Sequence, residues 1–159
     1  MDVDWPAVET EFGLTLPADF KRLMDRFPSG WFCSFFEVYS PEGEDVSGSM
    51  FHSELTQRLE RIRDWVALDP SPVPYPVHPE PGGIIPWGGS ASGNSFFWLP
   101  GGRRPDEWTV VFCDDEFSQW GEYPGPASAF LLDVLTGAFV HDFFVGYPQG
   151  VQPDFGPME

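Results

Sequence analysis

Three consecutive carboxylates, Asp114-Asp115-Glu116, follow the short apolar run Thr109–Phe112. Such hard oxygen donors hold Mg²⁺ or Ca²⁺ when further oxygens complete the shell. No EF-hand pattern surrounds the triplet, and adjacent carboxylates on a turn ordinarily face water, so no metal is assigned to it. His52, His78 and His141 share no ligand spacing, and neither C-x-x-C nor H-E-x-x-H occurs, which removes the usual zinc patterns. The run Gly88–Asn94 lacks the lysine of a P-loop and the G-x-G-x-x-G order. It is expected to turn between two strands, where no helix N-terminus is available to hold phosphate. No serine sits in G-x-S-x-G, so a nucleophile elbow is absent. Twenty-five acids guarantee some close carboxylate pairs, but nothing selects one of them for acid–base work. The chain is therefore read as non-enzymatic, with no catalytic residues and no cofactor.

Charge points toward a partner. Eight basic against 25 acidic residues gives a net charge of −17 over 159 residues. Nucleic acid and anionic membrane surfaces are opposed, because both are held by clustered Lys and Arg. A basic protein surface is the complement, reached faster through electrostatic steering. Residues 1–63 carry 12 acids and 6 bases, and residues 64–159 carry 13 acids and 2 bases. Two acidic groups stand on expected loops: Glu42, Glu44 and Asp45, then Asp114, Asp115 and Glu116. Loops held by ordered strands are common binding surfaces. At least one group, together with Glu122, is expected to pair with Lys or Arg of the partner.

The elements that must hold those loops follow from spacing. Trp5, Val8 and Phe12 form one stripe, with Asp4 as cap, Pro6 in the first turn and Gly13 as stop. A second helix opens at Pro17, with Asp19 in its first turn and Phe20, Leu23, Met24 and Phe27 on one face. These make an N-terminal helical hairpin. Residues 31–39 (WFCSFFEVY) are expected to form one buried strand. A third helix spans about 53–68 on Leu55, Leu59, Ile62 and Val66, with Arg58, Arg61 and Arg63 balanced by acids of the same helix. Six prolines make 69–83 a tethered loop. Short strands at 84–87, 95–99 and 109–112 form an antiparallel meander, with 120–123 as an edge strand. A last helix spans about 128–136 and ends at Gly137. The fold class is α+β: an antiparallel sheet of about four to six strands with helices packed on one side. Trp87 and Trp98 belong in its core.

The length fits one domain, expected over residues 1–147, with a loose tail at 148–159. The acidic N-terminus is unlike a signal peptide, and no run of ~20 apolar residues is present. Cys33 and Cys113 lie in apolar surroundings far apart and are expected to be reduced thiols, as in a cytoplasm. A single lysine against seven arginines, with 17 Gly and 18 Pro, matches GC-rich codon usage and suggests a bacterial source.

Several of these pieces resemble the SUKH superfamily. The opening resembles its first two helices, with Trp5, Val8 and Glu9, then Gly13-Leu14-Thr15-Leu16-Pro17-Ala18-Asp19-Phe20. The centre resembles its Gly-Gly-hydrophobic-x-x-Trp-Gly signature, here Gly82-Gly83-Ile84-Ile85-Pro86-Trp87-Gly88. Phe97-Trp98-Leu99, Pro105-Asp106-Glu107-Trp108-Thr109-Val110-Val111 and Ser128-Ala129-Phe130-Leu131-Leu132 follow in order, so the likeness covers about residues 3–138. One departure is Gly93-Asn94, where a Gly-Asp pair is common. The superfamily groups bacterial immunity proteins with fungal cell-wall-synthesis regulators. The resemblance implies an α+β domain without catalytic residues that binds and neutralises a cognate polymorphic toxin, often a nuclease with a basic cleft. The alternative it offers is a regulatory scaffold that binds endogenous proteins.

Overall fold

Asp4 and Gly13 bound the first helix, α1 (Trp5–Phe12), as their chemistry requires. The Asp4 carboxylate accepts the Ala7 N–H at 3.1 Å, and Gly13 adopts the left-handed conformation that stops a helix. The computed structural model describes residues 3–27, 30–41, 50–144 and 155–157. In chain order the remaining elements are α2 (Ala18–Arg26), β1 (Gly30–Phe32), β2 (Phe36–Val38), α3 (Met50–Leu68), β3 (Ile85–Ser90), β4 (Ser95–Leu99), β5 (Thr109–Cys113), β6 (Trp120–Tyr123), α4 (Ala127–Thr136) and β7 (Phe155–Pro157). Among the described residues the strands form one seven-stranded sheet in the order β6-β5-β4-β3-β2-β1-β7. Every ladder between these strands is antiparallel. The α+β antiparallel architecture stands as expected, with more strands than the four to six anticipated.

The additional strands have specific origins. Residues 31–39 are a hairpin, not one strand: the Phe35 N–H returns to the Phe32 carbonyl at 3.1 Å, and Cys33 and Ser34 both have positive φ. That is a tight primed turn made without the usual Gly or Asn, so composition did not announce it. β3 runs on through Gly88 and Gly89, where the sequence pattern suggests a turn. Phe155–Pro157, inside the segment expected to be a loose tail, pairs antiparallel with β1.

Helical cover is not confined to one face. Along β4 and β5, Phe96, Trp98 and Phe112 point one way, with Trp98 at 4.9 Å from Phe20 of α2 and Phe96 at 5.2 Å from Phe130 of α4. Ser95 and Phe97 alternate onto the opposite face, where Arg58 of α3 donates to the Ser95 hydroxyl at 2.8 Å. The run Ser95–Trp98 is buried residue after residue, which is the signature of a strand covered on both faces. Trp87 and Trp98 are fully buried, as anticipated.

The Gly-Gly-x-x-x-Trp-Gly signature has a steric explanation. Pairing of β3 with β4 skips from Pro86 to Gly88, so Trp87 occupies a bulge. Its indole is thereby free to join Phe96 at 5.4 Å and Phe130 at 6.0 Å. A Cβ on Gly88 would stand 2.6 Å from the Glu37 carbonyl of β2, and one on Gly83 would overlap the His78 amide. Only glycine permits either approach.

Acids of the other shared motifs fasten the helices. Glu9 accepts the Leu16 N–H at 2.8 Å and pairs with Lys21 at 2.6 Å, tying α1 to α2. Both α2 and α4 begin after a proline with no side-chain cap of its own. Asp106 supplies one from a distant turn, accepting the Ala18 N–H at 2.9 Å. Asp19 in turn accepts the Ser128 N–H at the start of α4 at 3.0 Å.

Candidate functional site

The β5–β6 turn sets out the acidic triplet. Asp114 turns inward: its carboxylate accepts the Ser118 N–H at 2.7 Å, the Ser118 hydroxyl, and the Gln119 N–H at 3.3 Å. Partial burial acts to raise its pKa, but these hydrogen bonds outweigh it and hold the carboxyl below its ordinary range. With Asp114 used to close the turn, Asp115 and Glu116 are left exposed at its tip. Phe117 then takes a left-handed conformation, φ 54°, with its ring fully buried. That backbone costs about 1–3 kcal/mol, and burying a phenylalanine ring returns about 1.5–3 kcal/mol. The ring therefore anchors the turn in place.

Its anchor is the outward stripe of α3. Phe117 meets the Trp65 ring edge-on at 6.1 Å and lies under the Arg61 guanidinium at 5.4 Å. Arg61 also donates to the Asp115 carbonyl at 3.0 Å. Arg63 donates to the His78 carbonyl at 3.0 Å, holding the proline-rich loop. The arginines expected to be balanced inside α3 thus reach off it; among the described residues Arg58 alone keeps a helical partner, Glu54, at 3.8 Å. The reason is position: Arg61 and Arg63 sit on the helix flanks that face the turn and the loop. Trp65 is 38% exposed, Leu68 is 88% exposed, and Asp64 lies beside them on the surface.

Sequence reasoning missed Trp65 and Leu68. The available signal was that Trp65 falls outside the Leu55–Leu59–Ile62–Val66 stripe.

Below the turn, Asn94 is buried, accepts from the Ser90 hydroxyl at 2.7 Å and donates to the Cys113 carbonyl at 3.3 Å. An aspartate there has no N–H for that carbonyl, so the departure from Gly-Asp suits this site. Burial, with the Asp114 charge nearby, pushes the Cys113 thiol far above its usual range, which removes it as a thiolate nucleophile. Neither Cys33 nor Cys113 forms a disulfide.

Glu122 of β6 is exposed, and its carboxylate accepts the Tyr75 hydroxyl, pinning the proline-rich loop to the edge strand. Asp115, Glu116 and Glu122 therefore share one end of the sheet, while Asp114 shapes the turn that presents them. None of the ion pairs among the described residues involves Asp64, Asp115, Glu116 or Glu122. Glu42, Glu44 and Asp45 lie outside the described residues. On the face of the sheet that α3 covers, Glu37 is half-buried. Burial and the neighbouring Glu54 raise its pKa, against a lowering effect of Arg58. No helix among the described residues is long and apolar enough to cross a membrane.

The assembled patch pairs an exposed tryptophan and leucine with unpaired carboxylates on a rigid turn. That combination suits protein recognition, with an apolar centre and a charged rim. The family model SUKH_6, SMI1-KNR4 cell-wall, matches residues 2–123. No curated protein matches the chain, and no solved structure does.

Proposed function

The chain belongs to the SUKH (SMI1-KNR4) family, and from that premise we propose that it is a non-enzymatic bacterial immunity protein that binds and neutralises a cognate toxin with a basic surface. The observation that carries this reading is the patch of Trp65 and Leu68 beside Asp64, Asp115 and Glu116, on a chain of net charge −17. Trp65 supplies the apolar anchor, and the carboxylates meet Lys or Arg of the toxin, with Glu122 at the margin. Occlusion of a cationic cleft needs no chemistry from the protein itself, only fast and complementary docking.

The test is co-expression with the product of the reading frame immediately upstream, scored as rescue of growth. Association of the purified pair is then followed against ionic strength. The expected rate falls as salt rises, and a D115N/E116Q/E122Q variant associates more slowly at low salt while unfolding at an unchanged temperature. W65A dissociates faster by a factor of about 30, the effect of losing a 2 kcal/mol anchor. Wild-type rates in both variants would remove the patch from the interface.

The cell-wall description of the family favours a second reading, a regulatory scaffold. An unrelated housekeeping neighbour, and no rescue of growth, would support it instead.

A further inference from the structure

At the end of the sheet opposite the acidic patch, α2 and α4 leave an apolar groove of about 250 Å³ beside β1 and β7. Leu23 and Phe27 form one wall, Leu131, Leu132 and Leu135 the other, and Phe155 closes the end. The groove is smaller than the cavities of about 300–1,000 Å³ that enclose whole small ligands, so it suits side chains of a docked segment. Leu132 is 58% exposed there.

Its charged rim differs from the rest of the molecule. Arg22 and Arg26 are one helical turn apart on α2, adjacent to the Leu23 position, and both are exposed. Neither has a hydrogen bond or ion pair among the described residues. Asp25 lies between them on α2 and is exposed, but no ion pair joins it to either arginine among the described residues; Asp19, at the start of the helix, is engaged by the Ser128 N–H. Two unpaired arginines therefore border an apolar groove on a chain whose net charge is −17.

We infer that this groove is a docking site for a peptide segment bearing apolar side chains flanked by Asp or Glu. The groove takes the apolar side chains and Arg22 and Arg26 take the carboxylates, the general mode of a segment laid into a groove. A second copy of the chain fits less well. Two-fold pairing of identical grooves places Arg22 and Arg26 near their own counterparts, and both molecules carry the same large negative charge. At physiological salt the screening length is about 8 Å, so the local rim outweighs the distant carboxylates. This inference is independent of toxin binding, because it concerns the other end of the sheet and the opposite charge.

The experiment pans a random dodecapeptide library displayed on phage against the whole chain, with counter-selection on Leu132→Asp. Enriched peptides are synthesised and measured by fluorescence anisotropy. The expected peptides carry at least two apolar residues and more Asp and Glu than Lys and Arg. They bind at least tenfold more weakly to Leu132→Asp and to the double variant Arg22→Gln/Arg26→Gln, with thermal midpoints unchanged. Enrichment of basic peptides, equal binding to both variants, or no groove-dependent enrichment would overturn the inference. So would a dimer in sedimentation that Leu132→Asp dissolves, which assigns the groove to a second copy.

Discussion

Replacing Asp106 by alanine removes the only side-chain cap of α2 among the described residues, and its effect can be worked through from the geometry. The Asp106 carboxylate accepts the Ala18 N–H at 2.9 Å, at a helix start whose own cap position is proline. Loss of an N-cap acceptor costs about 1 kcal/mol, with a range of about 0.5–2. The charge facing the helix N-terminus adds about 0.3–1 kcal/mol. Asp106→Ala is therefore expected to lose about 1.3–2 kcal/mol, and Asp106→Asn, which keeps an acceptor, only the smaller electrostatic part. For a domain of this size each kcal/mol lowers the melting temperature by about 2–4 °C. The first turn of α2 also carries Asp19, which caps α4 through Ser128. Fraying that turn weakens the second cap, so an Asp19→Ala/Asp106→Ala double variant should be less destabilised than the sum, by about 0.5 kcal/mol or more. Circular dichroism at 222 nm in heat and in urea measures the wild type, the three single variants Asp106→Ala, Asp106→Asn and Asp19→Ala, and the double variant. An unchanged melting temperature for Asp106→Ala, or equal losses for the Ala and Asn variants, would refute the capping argument.

Glu37→Gln should stabilise the protein at pH 7. A carboxyl whose folded pKa is raised costs stability once the pH passes its unfolded pKa, and the cost is complete above the folded pKa. The gain should accordingly shrink as the pH falls through the carboxylate range and vanish below about 4.5, a trend read from melting temperatures across that window. Gly88→Ala pushes a methyl group toward the Glu37 carbonyl at 2.6 Å, and urea unfolding should report a loss of about 1–3 kcal/mol. Asn94→Asp leaves the Cys113 carbonyl without its donor and buries a charge. It should cost at least about 1–3 kcal/mol at pH 7 in the same assay, and less in acid as the new carboxyl protonates.

Apolar spacing and punctuation determined much of this molecule before any tertiary contact. Asp4, Pro6 and Gly13 bound α1, the Phe20–Phe27 stripe places α2, and Ser95–Leu99 and Trp120–Tyr123 are strands with the limits their sequence indicates. Those features depend on residues within a few positions of one another. Long-range packing decided the rest. The Cys33–Ser34 turn has no turn-forming residue and exists because β1 and β2 are each held on their other edge, by β7 and β3. Gly88 and Gly89 suggested a turn, yet they are strand residues: the missing side chain of Gly88 lets the Glu37 carbonyl of β2 approach, and that of Gly89 the Asn94 carbonyl. The acids at 114–116 were visible as charge, but which of them faces outward depends on Ser118, Gln119 and the Phe117 ring. Trp65 and Leu68 became part of the surface only when α3 was laid beside the β5–β6 turn, because exposure belongs to the packing of two elements and not to the sequence of either.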